Sequence, residues 1–331
     1  METLIKNKQT VGCVDYFTVA NNKDLEIEFC QLGAAIYCVK YKGKVITYHP
    51  ADKEVFLTTG KYSGKIVGRT CGRLADGKIE IDGKPYQIQV NESGKNNCLH
   101  GGNDGISFKK FNYSVTETPD AISVVFKYKS PDGEAGFPGN VDFTITYVIE
   151  KENNTFTIKM KAIPDAKTVL NMTTHIYWRL GGNDVLDHTL YVDAGKRMVG
   201  HESRMFNMNE IAVEDLFDFQ QPKKVGKDIL EVAKASPNAT RGYDHAWIFN
   251  NPNEGKVTLS FENTKLNIIT DFSMTNIYAD CWNDPIEMLN YGMDKQYGAI
   301  AIEPQMKYTS YKDLICEANK PFDHYIRFEL R

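Results

Sequence analysis

Apolar side chains recur at every second position over long stretches of this chain: Leu25, Ile27 and Phe29; Ile122, Val124, Phe126 and Tyr128; Val141, Phe143, Ile145, Tyr147 and Ile149; Phe156, Ile158 and Met160. Successive side chains of an extended backbone point to opposite faces, so these runs are strands with one buried face. Asp82-Gly83 lies between Ile79/Ile81 and Tyr86/Ile88/Val90, and Asn153-Asn154 separates two further runs, which predicts tight hairpins and antiparallel neighbours at both places. The final run, Tyr325-Ile-Arg-Phe-Glu-Leu330, alternates again and is expected to lie inside a sheet. Helical periodicity is confined to short stretches at Asn209 to Phe217, Asp228 to Ala235 and Gln305 to Asp313, and Ser236 to Arg241 reads as a surface loop. About fifteen to twenty strands with few short helices imply an all-β protein, a large antiparallel β-sandwich of two packed sheets.

Length and charge narrow the rest. The 331 residues, 42% hydrophobic and 25% charged, are those of an ordinary globular chain. All-β sandwiches of this size occur as one unit, so a single domain over 1–331 is expected. The 39 basic and 43 acidic residues are scattered, without the basic stripe that nucleic acid requires. The opening METLIKNKQTVG lacks the apolar stretch of a secretory signal, and no window approaches the ~20 apolar residues of a membrane span. A soluble, cytoplasmic protein without nucleic-acid or membrane partners is the expectation. Seven cysteines, Cys13, Cys30, Cys38, Cys71, Cys98, Cys281 and Cys316, form no CxxC pair and are odd in number, which argues for reduced thiols rather than disulfides or structural zinc. Cys98, two residues before His100, has the position of a nucleophile, but a small apolar strand-end residue is the better reading.

The sequence lacks GxGxxG opening a helix, GxxxxGK[ST], HExxH and GxSxG, so dinucleotide, P-loop, zincin and serine-hydrolase chemistry have no local signature. What interrupts the alternating pattern is a set of polar islands: Gly68-Arg-Thr-Cys-Gly-Arg73, Asn97-Cys-Leu-His-Gly-Gly102, Thr173-Thr-His-Ile-Tyr177, Gly242-Tyr-Asp-His245 and Ile302-Glu-Pro-Gln305. Glu303 follows the apolar run Ala299-Ile-Ala-Ile302, where a carboxylate is costly unless partners await it. A strand-end glutamate facing solvent is the plain alternative. For His175, between Thr174 and Ile176, pattern alone favours a core histidine satisfied by a backbone carbonyl. His100 precedes Gly101-Gly102, a pair that suits either a turn or close approach of backbone to a ligand. Asp244 and His245 point to opposite faces if they lie on a strand, so only one can enter a common pocket. Arg69 and Arg73 are surface charges by default, yet Ile66, Val67 and Leu74 beside them favour at least one being tied to a site.

Taken in order, GRTCGRLADGKIEIDGKPYQ, NNCLHGGNDG, DGEAGFPGN, TTHIYW, GYDH and IEPQ resemble the aldose 1-epimerase (galactose mutarotase) family from about Phe17 to the C-terminus. The resemblance implies the galactose mutarotase-like supersandwich, with a sugar in an open cleft across one sheet. It places the family's general acid on His175 and its general base on Glu303. Sugar-binding roles fall on Arg73, His100 and Asp244, with Tyr177, Asn276 and Gln305 as further candidates. The implied reaction interconverts the α and β anomers of a hexose such as glucose or galactose by proton transfer alone, with no cofactor and no metal. The implied partner is a small free sugar, and the chain is expected to be a monomer or homodimer. A carboxylate beside His175 would favour the charged imidazole, suiting it to the acid role.

Three positions depart from the family pattern. Many members have Asn where this chain has Gly72, Thr174 and Arg179. Arg179, following the His175 strand, is expected at the cleft rim, which leaves the preferred sugar open. A hexose-phosphate epimerase, with Arg179, Arg73 or Arg241 holding the phosphate, is one alternative. A non-catalytic sugar-binding or sensor module is another. A glycosidase would need two carboxylates such as Asp244 and Glu303.

Overall fold

The alternating runs pair as their pattern requires. The computed structural model describes residues 4–331 apart from 93, 201–205 and 236–239. Among these, a nine-stranded antiparallel sheet carries, in spatial order, Asn112–Glu117, Ala121–Ser130, Val141–Glu150, Thr155–Pro164, Phe322–Leu330, Thr264–Thr270, Gly255–Phe261, Thr189–Val192 and Lys223–Lys224. Its register places Phe126 opposite Ile145, Ile145 opposite Met160, and Phe156 opposite Phe328, so one face is continuously apolar. The Phe156 and Phe328 rings stack at 4.7 Å. The C-terminal strand lies between Thr155–Pro164 and Thr264–Thr270, well inside the sheet.

A six-stranded sheet forms the opposing layer: Tyr177–Trp178, Ile300–Gln305, Met274–Tyr278, Asp244–Ile248, Lys196–Gly200 and Phe206–Ala212. Its inner face contributes Trp178, Trp247, Ile277, Ile300 and Ile302 to the same buried cluster as the large sheet, with Trp178 reaching Phe328 at 5.4 Å. The N-terminal sheet, built on Lys6–Val11, Val14–Ala20, Leu25–Cys30 and Ala35–Tyr41, adds Phe17 and Phe29 against Phe126 and Tyr147. The molecule is therefore an all-β sandwich. Period 2 dictates the consequence: with alternate residues of the smaller sheet committed to the core, the residues between them must face outward.

Both hairpins form where their turns predict, Lys78–Ile81 with Lys84–Gln87 and Val141–Glu150 with Thr155–Pro164. Of the helical stretches, Ile229–Ala235 is a helix. Asn209 to Phe217 is not: Phe206–Ala212 is a strand whose ladder with Lys196–Gly200 outweighs its weak local pattern. From Gln305 onward only Tyr311–Leu314 is helical, a single 3-10 turn with a capping box from Ser310. A short helix at Lys53–Thr58 has no periodic signal and starts where the Asp52 side chain accepts the Glu54 N–H at 2.7 Å. In the loop read over Ser236 to Arg241, positions 236–239 lie outside the described residues, and Arg241 is exposed.

Candidate active site

The outward face of the six-stranded sheet floors a cleft of about 220 Å³. Three neighbouring strands supply its centre. Asn276 lies opposite Glu303 on one side and opposite Ala246 on the other, and Asp244 lies opposite Tyr278, so Asp244, Asn276, Tyr278, Glu303 and Gln305 share that face. Tyr177 joins them from the edge strand. Arg73 and Leu99, paired in a short two-stranded ladder, approach over the sheet together with His100, and Gly60, Lys61, Tyr62, Trp282 and Asp284 close another part of the wall. The eight residues that the family resemblance made site candidates, Arg73, His100, His175, Tyr177, Asp244, Asn276, Glu303 and Gln305, all line this one cleft.

At its centre, His175 Nε2 lies 3.6 Å from Glu303 Oε1. Asn276 Nδ2 donates to Glu303 Oε1 at 3.2 Å and to Asp244 Oδ1 at 3.5 Å, fixing the Glu303 carboxyl and linking the two acids. Glu303 is therefore no strand-end surface residue; it is 2% exposed. Nor does a neighbouring carbonyl satisfy His175: its Nδ1 is buried without a partner of hydrogen-bond geometry, against only its own backbone. The His100 and His175 rings meet edge to face with centroids 5.3 Å apart.

Burial governs the protons. It lowers the His175 imidazole to about 4, with its own carbonyl and the Asp244 carboxylate acting the other way. It raises the Glu303 carboxyl to about 8, opposed by the Asn276 amide and reinforced by Asp244. A carboxylate beside the imidazole does favour its charged form, as expected, but burial acts against it: without a sugar, desolvation favours the neutral form of both groups. The pair nevertheless holds one proton, resting on Glu303, and its titration belongs to both groups together.

Several sequence expectations resolve here. Asp244 enters the cleft, while His245 packs on Phe217 at 4.8 Å. Gly101 and Gly102 have φ +84° and +87°, and a Cβ on Gly101 would stand 2.1 Å from the Gly68 carbonyl oxygen, so the glycines serve a turn packed on backbone. Arg69 is fully buried away from the cleft, donating to Ser130, Pro131 and Pro138 and pinning the Gly-Phe-Pro-Gly turn. Cys98 is buried and its thiol is pushed up to about 12 by burial, which suits packing and not attack. Arg179 corrects the expectation of a rim cation. It is buried, donates to the Gly182 carbonyl at 2.7 Å and lies 4.0 Å from the Tyr291 ring, outside the cleft. Lys61, Tyr62, Tyr278, Trp282 and Asp284 are not among the candidates that the sequence offers. Only Tyr278 carried a signal, two positions from Asn276 on the same strand face.

The aldose 1-epimerase family model matches residues 15–311. The chain belongs to the aldose 1-epimerase family.

As an epimerase of this family it is an isomerase, and its relatives agree. It is 29% identical over 304 residues to an aldose 1-epimerase of Haemophilus influenzae, covering 87% of this chain and 85% of that one. It is 26% identical over 276 residues to a maltose epimerase of Levilactobacillus brevis, covering 81% and 79%. The structure of a galactose 1-epimerase from Lactobacillus acidophilus superimposes with a TM-score of 0.89 at 21% identity, covering 99% and 98%, which establishes the same fold. Against the family pattern, Gly72 has a structural reason. At φ +65° its Cβ would stand 2.6 Å from the Tyr308 hydroxyl, so Tyr308 fills the space a side chain there would need.

Arg73 is oriented by a carboxylate outside the cleft lining. Its Nε donates to both oxygens of Glu92, at 3.1 and 3.0 Å, and Asn97 Nδ2 holds the same carboxylate at 2.9 Å. The tether uses only Nε, so the two terminal amino groups stay outside it. Replacing Glu92 by alanine is expected to raise KM about tenfold with a smaller change in kcat, as a charge-assisted hydrogen bond of about 1.5–3 kcal/mol is lost. Initial rates across sugar concentrations would measure the split, and an unchanged KM would remove Glu92 from the binding frame.

Proposed function

We propose that this chain interconverts the α and β anomers of a free aldohexose, with His175 and Glu303 as its proton-transfer pair. The observation that carries the reading is the 3.6 Å approach of His175 Nε2 to Glu303 Oε1 within a cleft whose remaining lining is rich in hydrogen-bonding side chains and tyrosine rings. Anomerisation needs a base to take the C1 hydroxyl proton and an acid to protonate the ring oxygen. The C1–ring oxygen bond then breaks, the open-chain aldehyde turns about C1–C2, and ring closure returns both protons. A pair that holds one proton meets this requirement in both directions. A sugar hydroxyl donated to Glu303, together with the positive Arg73, favours the carboxylate and moves the pair's proton toward His175. Glu303 is then the base and His175 the acid. Arg73, His100, Asp244, Tyr177, Asn276 and Gln305 supply contacts to the sugar.

The relatives' names range over aldose, galactose and maltose. Of the three arginines that could hold a phosphate, Arg179 is stacked on Tyr291 outside the cleft, which supports a free sugar, whereas Arg73 lines the cleft and Arg241 lies over the Trp282 ring of its wall at 3.8 Å, so the 6-phosphates belong in the test. Polarimetry of freshly dissolved α-D-glucose and α-D-galactose, beside their 6-phosphates, tests the reading. No acceleration over the buffer rate with either free sugar would overturn it.

The pH dependence follows from the shared proton. Glu303, raised by burial, loses the pair's last proton above about 8, which removes the acid; His175, lowered by burial, gains a second proton only below about 4, which removes the base. The enzymatic rate, corrected for the uncatalysed reaction, is expected to be highest between these limits and to fall about tenfold per pH unit beyond them. A rate that still climbed from pH 8 to 10 would contradict the one-proton requirement.

A further inference from the structure

We infer that the His175–Glu303 cleft is also an inhibitory binding site for a divalent transition-metal ion of the zinc type, held by His100, His175 and Glu303. These three residues are buried, and each brings a ligand atom within 4.8 Å of the other two. Two imidazoles and one carboxylate are a donor set suited to zinc, cobalt or nickel and poorly suited to magnesium or calcium, which require mostly oxygen. A tetrahedral zinc ion with bonds of 2.0–2.2 Å spaces its ligand atoms roughly 3.3–3.5 Å apart. His175 Nε2 and Glu303 Oε1, at 3.6 Å, are already near that spacing. His100, whose ring meets that of His175 edge to face, brings its ligand atom within 4.8 Å of the other two.

A second observation points the same way. Nδ1 of His100 is buried without a hydrogen-bond partner. A buried imidazole nitrogen without a partner is an exception in folded proteins and a ready metal donor. Asn276 holds the third ligand in place through its 3.2 Å hydrogen bond to Glu303. Three protein ligands leave the fourth position facing the cleft for water. The ion would occupy both members of the proton-transfer pair, so metal and sugar compete. This ion is an inhibitor and has no part in the proposed reaction; the inhibition rests on the proposed function, whereas the binding does not.

The test begins with calorimetry on chelator-treated protein titrated with zinc chloride, which needs no turnover. One ion per chain is expected, with magnesium chloride giving no binding. His100→Asn and Glu303→Gln should each weaken the zinc affinity at least tenfold, and circular dichroism with thermal melting would verify that both variants are folded. Zinc binding elsewhere, at exposed Cys13 for example, would survive these substitutions. Absence of one-to-one binding up to 1 mM zinc, taken as roughly the weakest affinity of interest, or unchanged binding in both folded variants, would overturn the site. If the wild type turns over sugar, zinc should slow it with the calorimetric midpoint, excess sugar should raise that midpoint, and EDTA should restore the rate. Stoichiometric binding that left turnover untouched would overturn the inhibition.

Discussion

Glu303→Gln and His175→Asn are each expected to lower kcat about 10²- to 10⁴-fold while leaving the fold intact. Glutamine keeps the shape of the carboxyl group and its place opposite Asn276, but it can neither take nor give the C1 proton. Asparagine at 175 likewise removes the only imidazole within 3.6 Å of Glu303 among the described residues. The two losses are not additive, because each leaves the other group without the partner with which it shares a proton. The double variant should therefore be scarcely slower than either single one. Polarimetric kcat for the three variants, with thermal melting to verify folding, would measure this. A single variant that kept near-normal kcat would remove its residue from proton transfer. Removing a carboxyl that burial raises to about 8 costs folding little, since Glu303 is an unfavourable buried acid whose task lies in chemistry.

The largest expected effect on stability lies a few residues away, in the cleft wall. Lys61 Nζ contacts Asp280 Oδ1 at 2.7 Å and Asp294 Oδ2 at 2.8 Å, and the two carboxylate side chains are wholly buried. One cation thus serves two buried anions. Burial raises Asp280 to about 7, and Lys61 opposes that rise. Lys61→Met would leave both acids without their cation, an expected loss of about 3–5 kcal/mol. The sign with pH follows. Without Lys61 the Asp280 carboxyl is raised beyond the value of about 7 that it has beside the lysine, so in the variant it is already protonated above neutrality; the deficit grows as pH rises through about 7 and is smaller at pH 5. Urea unfolding of wild type and variant at pH 5 and pH 8 would show the larger gap at pH 8. A gap below about 1 kcal/mol at pH 8 would mean that the triad adds nothing beyond an exposed ion pair.

Sequence reading went furthest where the side-chain period decides the outcome. Asp244 and His245 are adjacent, and a strand must send them to opposite faces; the structure puts the acid in the cleft and the histidine on Phe217. Glu303 stood out because it follows an apolar run. Arg179, expected at the cleft rim because it follows the His175 strand, lies elsewhere. The chain leaves the sheet at Trp178, the Arg179 N–H donates to the Ile46 carbonyl, and the guanidinium turns onto Tyr291. Lys61 and Trp282 sit on loops, where no periodicity exists to read.

By itself, the sequence determined the all-β class, the two-faced strands and the hairpins at Asp82-Gly83 and Asn153-Asn154, which follow from local geometry because a backbone with a two-residue repeat fixes which side chains share a face. Eight of the cleft residues were legible only through the resemblance of the chain to the aldose 1-epimerase family. Only the tertiary structure decided which polar residues meet and what charge they carry. The approach of His175 to Glu303, the tether of Arg73 to Glu92 and the Lys61 triad all join segments distant in the chain. Burial, which leaves the His175–Glu303 pair with one proton, arises only when two sheets and their loops close over the same space.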